Sequence, residues 1–224
     1  MKICAIIPAY NVESTIEDVI RGVNRFLLLP DIVIIDDGSG DDTAAKAKRT
    51  GATVLQNEQN RGKGYSLKRG FEYAIKNFYE AVISIDADLQ HDPLEIPKFL
   101  NCYSQHKADL ILGDRTHDLS AMPIDRQFSN KTTSLIISLL TGQRVRDSQN
   151  GYRLMKTDAL RRIHLTSNRY EMESELLVKI LINDFSIAHV PIKTIYGDQE
   201  SHIHRFVDSL RFIRIVMRSL IRKK

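Results

Sequence analysis

The chain has 224 residues, 42% of them apolar and 27% charged, which is enough to bury one sizeable core and too polar for a bundle of membrane spans. Its longest apolar run, Leu135–Leu140, is broken by Ser138 and falls far short of a bilayer. The net charge of +4 belongs to the end of the chain. Residues 205–224 carry Arg205, Arg211, Arg214, Arg218, Arg222, Lys223 and Lys224 against Asp208 alone, so that segment is +6 and the remainder −2. A nucleic-acid-binding face on the body is therefore not indicated.

The opening apolar stretch Ile3–Ala9 is short, contains Pro8 and has no cleavage-site pattern after it, so no secretory leader is expected. Cys4 and Cys102 read as buried, reduced thiols of a cytoplasmic protein.

Strands and helices alternate through the first half. Lys2–Pro8 predicts a strand, and Ser14–Phe26 a helix opened by a capping box of Ser14 and Glu17. A second strand over Ile32–Asp36 leads through an Asp/Gly/Ser turn to a helix from about Thr43. Thr53–Gln56 is a third strand, followed by a glycine-rich turn and a helix to about Asn77. Ala81–Ile85, a helix over Glu95–Gln105 and a strand over Ala108–Gly113 complete the series. Strands apolar throughout and separated by helices imply a doubly wound α/β domain, its mostly parallel sheet covered on both faces. Beyond Gly113 the order changes. Thr116–Arg126 reads as irregular, Ser129–Leu140 as an apolar helix, Thr141–Arg153 as a polar loop, Glu173–Asn183 as a helix and Ser186–Pro191 as a strand.

In open α/β sheets ligands bind beyond the carboxyl ends of the strands, so the residues there carry the chemistry. Pro8-Ala9-Tyr10-Asn11-Val12-Glu13 follows the first strand and Asp36-Asp37-Gly38-Ser39 the second. Two adjacent carboxylates repel unless donors or cations face them, and a ribose or base edge could supply such donors. Either Asp41 or Asp42 could cap the helix that follows. Asn60-Arg61-Gly62-Lys63-Gly64 offers glycines for close approach, a helix N-terminus for a phosphate and the Lys63 charge, though it has neither the P-loop nor the dinucleotide spacing. The strongest signal is Asp86-Ala87-Asp88-Leu89-Gln90-His91. Carboxylates two apart at the end of a buried strand can converge on one Mg²⁺ or Mn²⁺, whose shell diphosphate oxygens and water complete.

Taken in order, these segments with Gly113-Asp114-Arg115 and Asp147–Arg153 resemble family 2 glycosyltransferases of the GT-A type, and among them the polyprenyl-phosphate sugar transferases. The resemblance implies an inverting transfer of a hexose from a UDP- or GDP-sugar, with a GT-A domain over residues 1–204. It implies a donor held by the first four loops, through Pro8, Ala9, Tyr10, Glu13, Asp37, Gly62, Lys63, Asp86, Ala87 and Asp88, with Asp86, Asp88 and Gln90 at the metal. Arg115 and Arg126 match positions implied to hold an acceptor phosphate, work suited to a planar guanidinium. If the acceptor is instead a sugar hydroxyl of a glycan, a carboxylate must take its proton, and Asp147 is the candidate.

Some positions depart from the family pattern. Asn150 stands where a small residue or cysteine is usual, and Asp198-Gln199-Glu200-Ser201-His202 carries His202 in place of a lysine. Glu171 and Glu173 match an acidic helix start and read as stabilising that helix N-terminus. His202 and His204 read as solvated loop residues rather than a metal pair. Phe206, Leu210, Ile213, Met217 and Leu220 recur at helical spacing beside the arginines of residues 205–224. That pattern predicts a basic amphipathic helix suited to the cytoplasmic face of a membrane, or to packing on the core, with room for a membrane-protein partner. The rival readings are a sugar nucleotidyltransferase, which should carry a basic glycine-rich loop after the first strand, and a non-catalytic nucleotide-sugar binding module.

Overall fold

A computed structural model describes residues 2–119, 122–193 and 195. Among them seven strands form one sheet in the order β3-β2-β1-β4-β6-β5-β7. The strands are β1 (Ile3–Ala9), β2 (Ile32–Asp36), β3 (Thr53–Gln56), β4 (Ala81–Ser84), β5 (Leu110–Asp114), β6 (Arg153–Lys156) and β7 (Ile187–Pro191). All neighbouring pairs are parallel except those of β6, which runs antiparallel to both β4 and β5. The helices are α1 (Ile16–Asn24), α2 (Thr43–Arg49), α3 (Lys63–Lys76), α4 (Ile96–His106), α5 (Ile124–Thr141), α6 (Thr157–Arg162) and α7 (Glu171–Ile182).

Alternate side chains of β1 enter opposite cores. Cys4 and Ile6 pack with Phe71, Leu176 and Leu177 on the face covered by α3, α6 and α7. Ile3, Ala5, Ile7 and Ala9 pack with Ile16, Val19, Ile20 and Phe99 on the face covered by α1 and α4. This two-sided burial is why the strands carry no polar alternation. Helix α1 shows the matching helical pattern, burying Ile16, Val19, Ile20 and Val23. Each such aliphatic side chain contributes about 1.5–3 kcal/mol when withdrawn from water. Cys4 and Cys102 are free thiols, the first buried and the second partly so.

The structure corrects several expectations. Helix α1 opens at Ile16, with Thr15 rather than Ser14 at the cap; the Thr15 hydroxyl donates 2.6 Å to the Ala87 carbonyl, and Glu17 pairs with Arg21 instead of closing a capping box. Helix α5 starts at Ile124, not Ser129, so Arg126 lies on a helix rather than in an irregular stretch. Pro123 precedes its first residue, a place where a missing N–H costs nothing. Strand β6 and helix α6 were not expected. Strand β6 has only Leu154 and Met155 as apolar residues between Arg153 and Lys156, so it does not read as a buried strand, and it lies between β4 and β5. The predicted helix over 205–224, the Asp198–His202 segment and His204 lie outside the described residues.

Candidate active site

The loops after β1 and β2 are stitched together. The Asn11 N–H donates to Ser39 Oγ at 2.9 Å, Gly40 N–H to Asn11 Oδ1 at 2.9 Å, and Val12 N–H to Thr43 Oγ1 at 2.8 Å. Glu13 accepts from the Asp42 N–H at 3.1 Å and lies 3.7 Å from Lys46, while Tyr10 stands exposed at the rim. Asp42 occupies the N-cap of α2 without a side-chain bond, and Asp41 just before it accepts from the Thr43 N–H at 3.0 Å. Pro8 and Ala9 form the end of β1, beside Ile35 and Asp36.

The paired acids Asp36 and Asp37 are both buried, and protein donors face them. Asp36 accepts from Ser39 N–H and Gln56 Nε2, each at 3.3 Å. Asp37 binds the Arg61 and Gly62 amides at 3.0 and 2.8 Å and Asn57 Nδ2 at 2.6 Å. The amides of the glycine turn, read from sequence as suited to a phosphate, are thus partly taken by an internal carboxylate. Gly62 has φ +97°, and a Cβ there would lie 2.7 Å from the Asn168 carbonyl oxygen. The same oxygen accepts from Tyr65 N–H at 2.8 Å. These glycines serve a close approach between the start of α3 and the start of α7.

The loop after β4 is locked into an unusual shape. Leu89 has φ +64°, a left-handed conformation that costs a leucine of order 1 kcal/mol. It is held by Gln90 N–H donating to Asp88 Oδ1 at 3.0 Å and by Asp86 N–H donating to His91 Nδ1 at 3.0 Å. His91 is buried and stacks at 5.0 Å on Tyr152, which stacks at 4.6 Å on Phe99. Accepting at Nδ1 leaves the His91 proton on Nε2; burial lowers its pKa against the opposing pull of Asp86, so the ring stays neutral near pH 7. Ala87 is buried between the two acids and Gln90 is half-buried, its carbonyl accepting from Ile195 N–H at 3.1 Å.

Lys63, the first residue of α3, reaches Asp86 Oδ1 at 2.7 Å and Glu173 Oε1 at 3.3 Å. Burial alone would raise the Asp86 pKa and lower that of Lys63. For Asp86 the Lys63 charge, followed by His91, outweighs burial and holds the carboxyl at about 2, while Asp86 and Glu173 keep Lys63 protonated. Asp88, half-exposed, has one carboxylate oxygen with no hydrogen bond among the described residues. Among those residues no three His, Cys, Asp or Glu side chains cluster as a complete metal site. An all-oxygen pair with one open carboxylate oxygen nevertheless fits a hard divalent cation that draws its other ligands from a diphosphate and water.

At the end of β5, Arg115 and Asp147 form a two-pronged pair. Arg115 Nε and Nη2 donate to Asp147 at 2.7 and 2.9 Å, and the Arg115 N–H adds a third bond at 3.1 Å. Asn130 Nδ2 of α5 donates to the same carboxylate at 2.9 Å, and Asp147 is 0% exposed. Arg115 is also close enough for its charge to help lower the Asp86 pKa. Arg126 sits half-buried in the first turn of α5.

Three residues that the sequence placed in matching segments without a role in the site make contacts there in the structure. Glu173 contacts Lys63 as well as opening α7. Arg153, 1% exposed, donates to the carbonyls of Asn150 at 2.7 Å, Ser148 at 3.0 Å and Glu173 at 2.6 Å, fastening the 147–151 loop to α7. Asn150 Nδ2 donates to the Gly113 carbonyl at 2.9 Å, tying that loop to β5. A lone arginine opening the short apolar run Leu154-Met155 was the available signal for Arg153.

The fold defines the class. It is shared with glucosyl-3-phosphoglycerate synthase from Mycobacterium tuberculosis, solved in complex with Mn²⁺, uridine diphosphate and glucosyl-3-phosphoglycerate (TM-score 0.74, 23% identity, 98% of this chain and 78% of that one). This is the mostly parallel α/β sheet of GT-A type that the sequence predicted, with one strand reversed. Residues 4–164 match glycosyl transferase family 2, and the chain belongs to that family. Relatives include the UDP-N-acetylglucosamine–dolichyl-phosphate N-acetylglucosaminyltransferase of Methanococcus voltae, 32% identical over 86% of this chain and 85% of that protein. The polyprenol monophosphomannose synthase of Mycolicibacterium smegmatis is 28% identical over 84% and 75%.

Proposed function

We propose that this family 2 glycosyltransferase moves a hexose, with inversion, from a UDP- or GDP-sugar to a polyprenyl-phosphate-type lipid at a membrane surface. The observation that carries the acceptor side is the Arg115–Asp147 fork. It holds a guanidinium rigidly at the end of β5, within electrostatic reach of Asp86. A pre-oriented guanidinium suits a phosphate, and a phosphate brings its own negative charge and needs no base. The dolichyl-phosphate and polyprenol acceptors in the names of the two relatives support the same choice.

On the donor side, Pro8, Ala9, Tyr10 and Glu13 would form one wall for the nucleotide and Asp37 with Gly62 the other, close to the ribose. Asp86, Asp88 and Gln90 would hold Mg²⁺ or Mn²⁺, which when bound supplies positive charge for the leaving diphosphate. Lys63 adds its charge to the same oxygens, and Arg115 and Arg126 orient the incoming phosphate for in-line attack on the anomeric carbon.

Helix α5 supports a lipid surface as the setting. Ile124, Phe128, Leu135 and Leu139, 83, 75, 58 and 74% exposed, fall along one side of the helix that also carries Arg126. Apolar side chains aligned in this way mark an interaction surface rather than ordinary solvent exposure.

Calorimetric titration with UDP and GDP, each with and without Mn²⁺, tests the donor site. We expect Mn²⁺-dependent binding of one nucleotide that Asp88→Ala abolishes. Failure of both nucleotides to bind under every metal condition would leave a non-catalytic role as the better account.

A further inference from the structure

Lys63 is tied to both acids at the back of the donor site. Its Nζ lies 2.7 Å from Asp86 and 3.3 Å from Glu173, and the three side chains are 19, 26 and 17% exposed. They converge on the bare Cα of Gly151, where a Cβ would lie 2.7 Å from Glu173 Oε1, 3.3 Å from Lys63 Nζ and 3.5 Å from Asp86 Oδ2. Glu173 is in turn fixed by the 2.6 Å bond from Arg153 to its backbone carbonyl. Asp88 is different, having no cationic side chain within ion-pair distance among the described residues. One of the two acids read as metal ligands is thus already neutralised by an ammonium, while the other is open.

We propose that Lys63 is the resting counter-ion of the donor site, and that Glu173 is the positioning residue that retains it when a divalent cation takes up Asp86. This rests on the donor site proposed above. An ammonium and a divalent cation cannot share one carboxylate oxygen without strong repulsion in a poorly hydrated site. Metal alone must therefore displace Lys63 at a cost and binds weakly. A nucleoside diphosphate changes the balance, because its oxygens give Lys63 a new partner while Glu173 keeps the ammonium nearby. Metal and nucleotide consequently enter together, and the site does not fill with free divalent cation before a donor arrives.

The test is Mn²⁺ binding without any nucleotide, read from the electron paramagnetic resonance signal of free Mn²⁺, for the wild type, Lys63→Met and Glu173→Gln. UDP and GDP titrations on the same preparations accompany it, and thermal unfolding verifies that each variant is folded. In the wild type, Mn²⁺ should bind at least ten-fold more weakly alone than with the nucleotide. Lys63→Met should tighten Mn²⁺ alone about ten-fold or more and remove most of that synergy. Glu173→Gln should leave Mn²⁺ alone weak and loosen the Mn²⁺–nucleotide pair several-fold.

Equal Mn²⁺ affinity in the wild type and Lys63→Met, with Mn²⁺-dependent nucleotide binding intact, overturns the counter-ion role and leaves the donor site standing. If no nucleotide binds to any of the three proteins, the donor reading itself fails. Should Lys63→Met not fold, the wild-type comparison with and without nucleotide decides, and the absence of synergy there overturns the proposal.

Discussion

Arg115 and Asp147 are the pair of side chains on which the proposed reading of the acceptor end rests. Asp147 accepts from both prongs of the guanidinium, from a backbone amide and from Asn130, and has no exposed surface. Lysine cannot reproduce the fork, so Arg115→Lys should lower kcat/KM by about 10² and also lower stability, because the buried Asp147 carboxylate loses part of its pairing. Asp147→Asn should lower turnover by releasing Arg115 while leaving the acidic limb of the pH–rate profile in place. Loss of that limb would identify Asp147 as a base and favour a hydroxyl acceptor. Glu175 illustrates a structural carboxylate. It is a buried residue of α7 itself, bound by Lys179, the Thr166 hydroxyl and the Thr166 and Ser167 amides. Burial opposes its ionisation, but these donors, led by Lys179, hold its pKa at about 2. Because the folded pKa is depressed, its stabilisation is full above the unfolded value near 4.5 and disappears as pH falls toward 2. Glu175→Gln should therefore cost roughly 2–3 kcal/mol at pH 7 and much less at pH 3, read from urea unfolding at the two pH values.

At the scale of elements, the first five strands and four helices are legible in the chain because the strands are apolar runs bounded by turn residues and the helices carry their own period. The runs Ile32–Asp36 and Thr53–Gln56 lie where they were predicted, β1 is shifted by one residue, and β4 ends one residue early. What a local pattern could not give is the reversal at β6. Arg153–Lys156 is bounded by two charged residues, and its strand character comes from pairing with β4 and β5 on either side. The junction of α3 and α7 was hidden for the same reason, since its glycines face a segment about a hundred residues away. A Cβ on Gly64 would meet the Arg169 carbonyl at 2.5 Å and Met172 Cβ at 2.6 Å. Gly64→Ala should cost about 1–3 kcal/mol in denaturant unfolding and weaken nucleotide binding, because the turn that follows β3 must move.

For the molecule as a whole, the candidate active-site loops follow the carboxyl ends of strands and α5 comes after β5 in the chain, and under the proposed function its exposed apolar side is the surface that would meet lipid. Among the described residues no helix is long and apolar enough to cross a membrane. Replacing Phe128 and Leu139 by Asp should reduce sedimentation with anionic liposomes at least several-fold and leave nucleotide affinity unchanged; equal sedimentation would remove α5 as the contact surface. The sequence by itself determined the alternating β/α order, the two-sided burial of the strands and the short acidic and glycine-rich segments at their ends, because these depend on residues adjacent in the chain. Only the tertiary structure decided which charges meet: Lys63 with both Asp86 and Glu173, Arg115 with a buried Asp147, and Asp37 with the amides of the glycine turn. Those pairings join residues from 23 to 110 positions apart, and their partners are chosen by strand order and by the space that Gly62, Gly64 and Gly151 leave open.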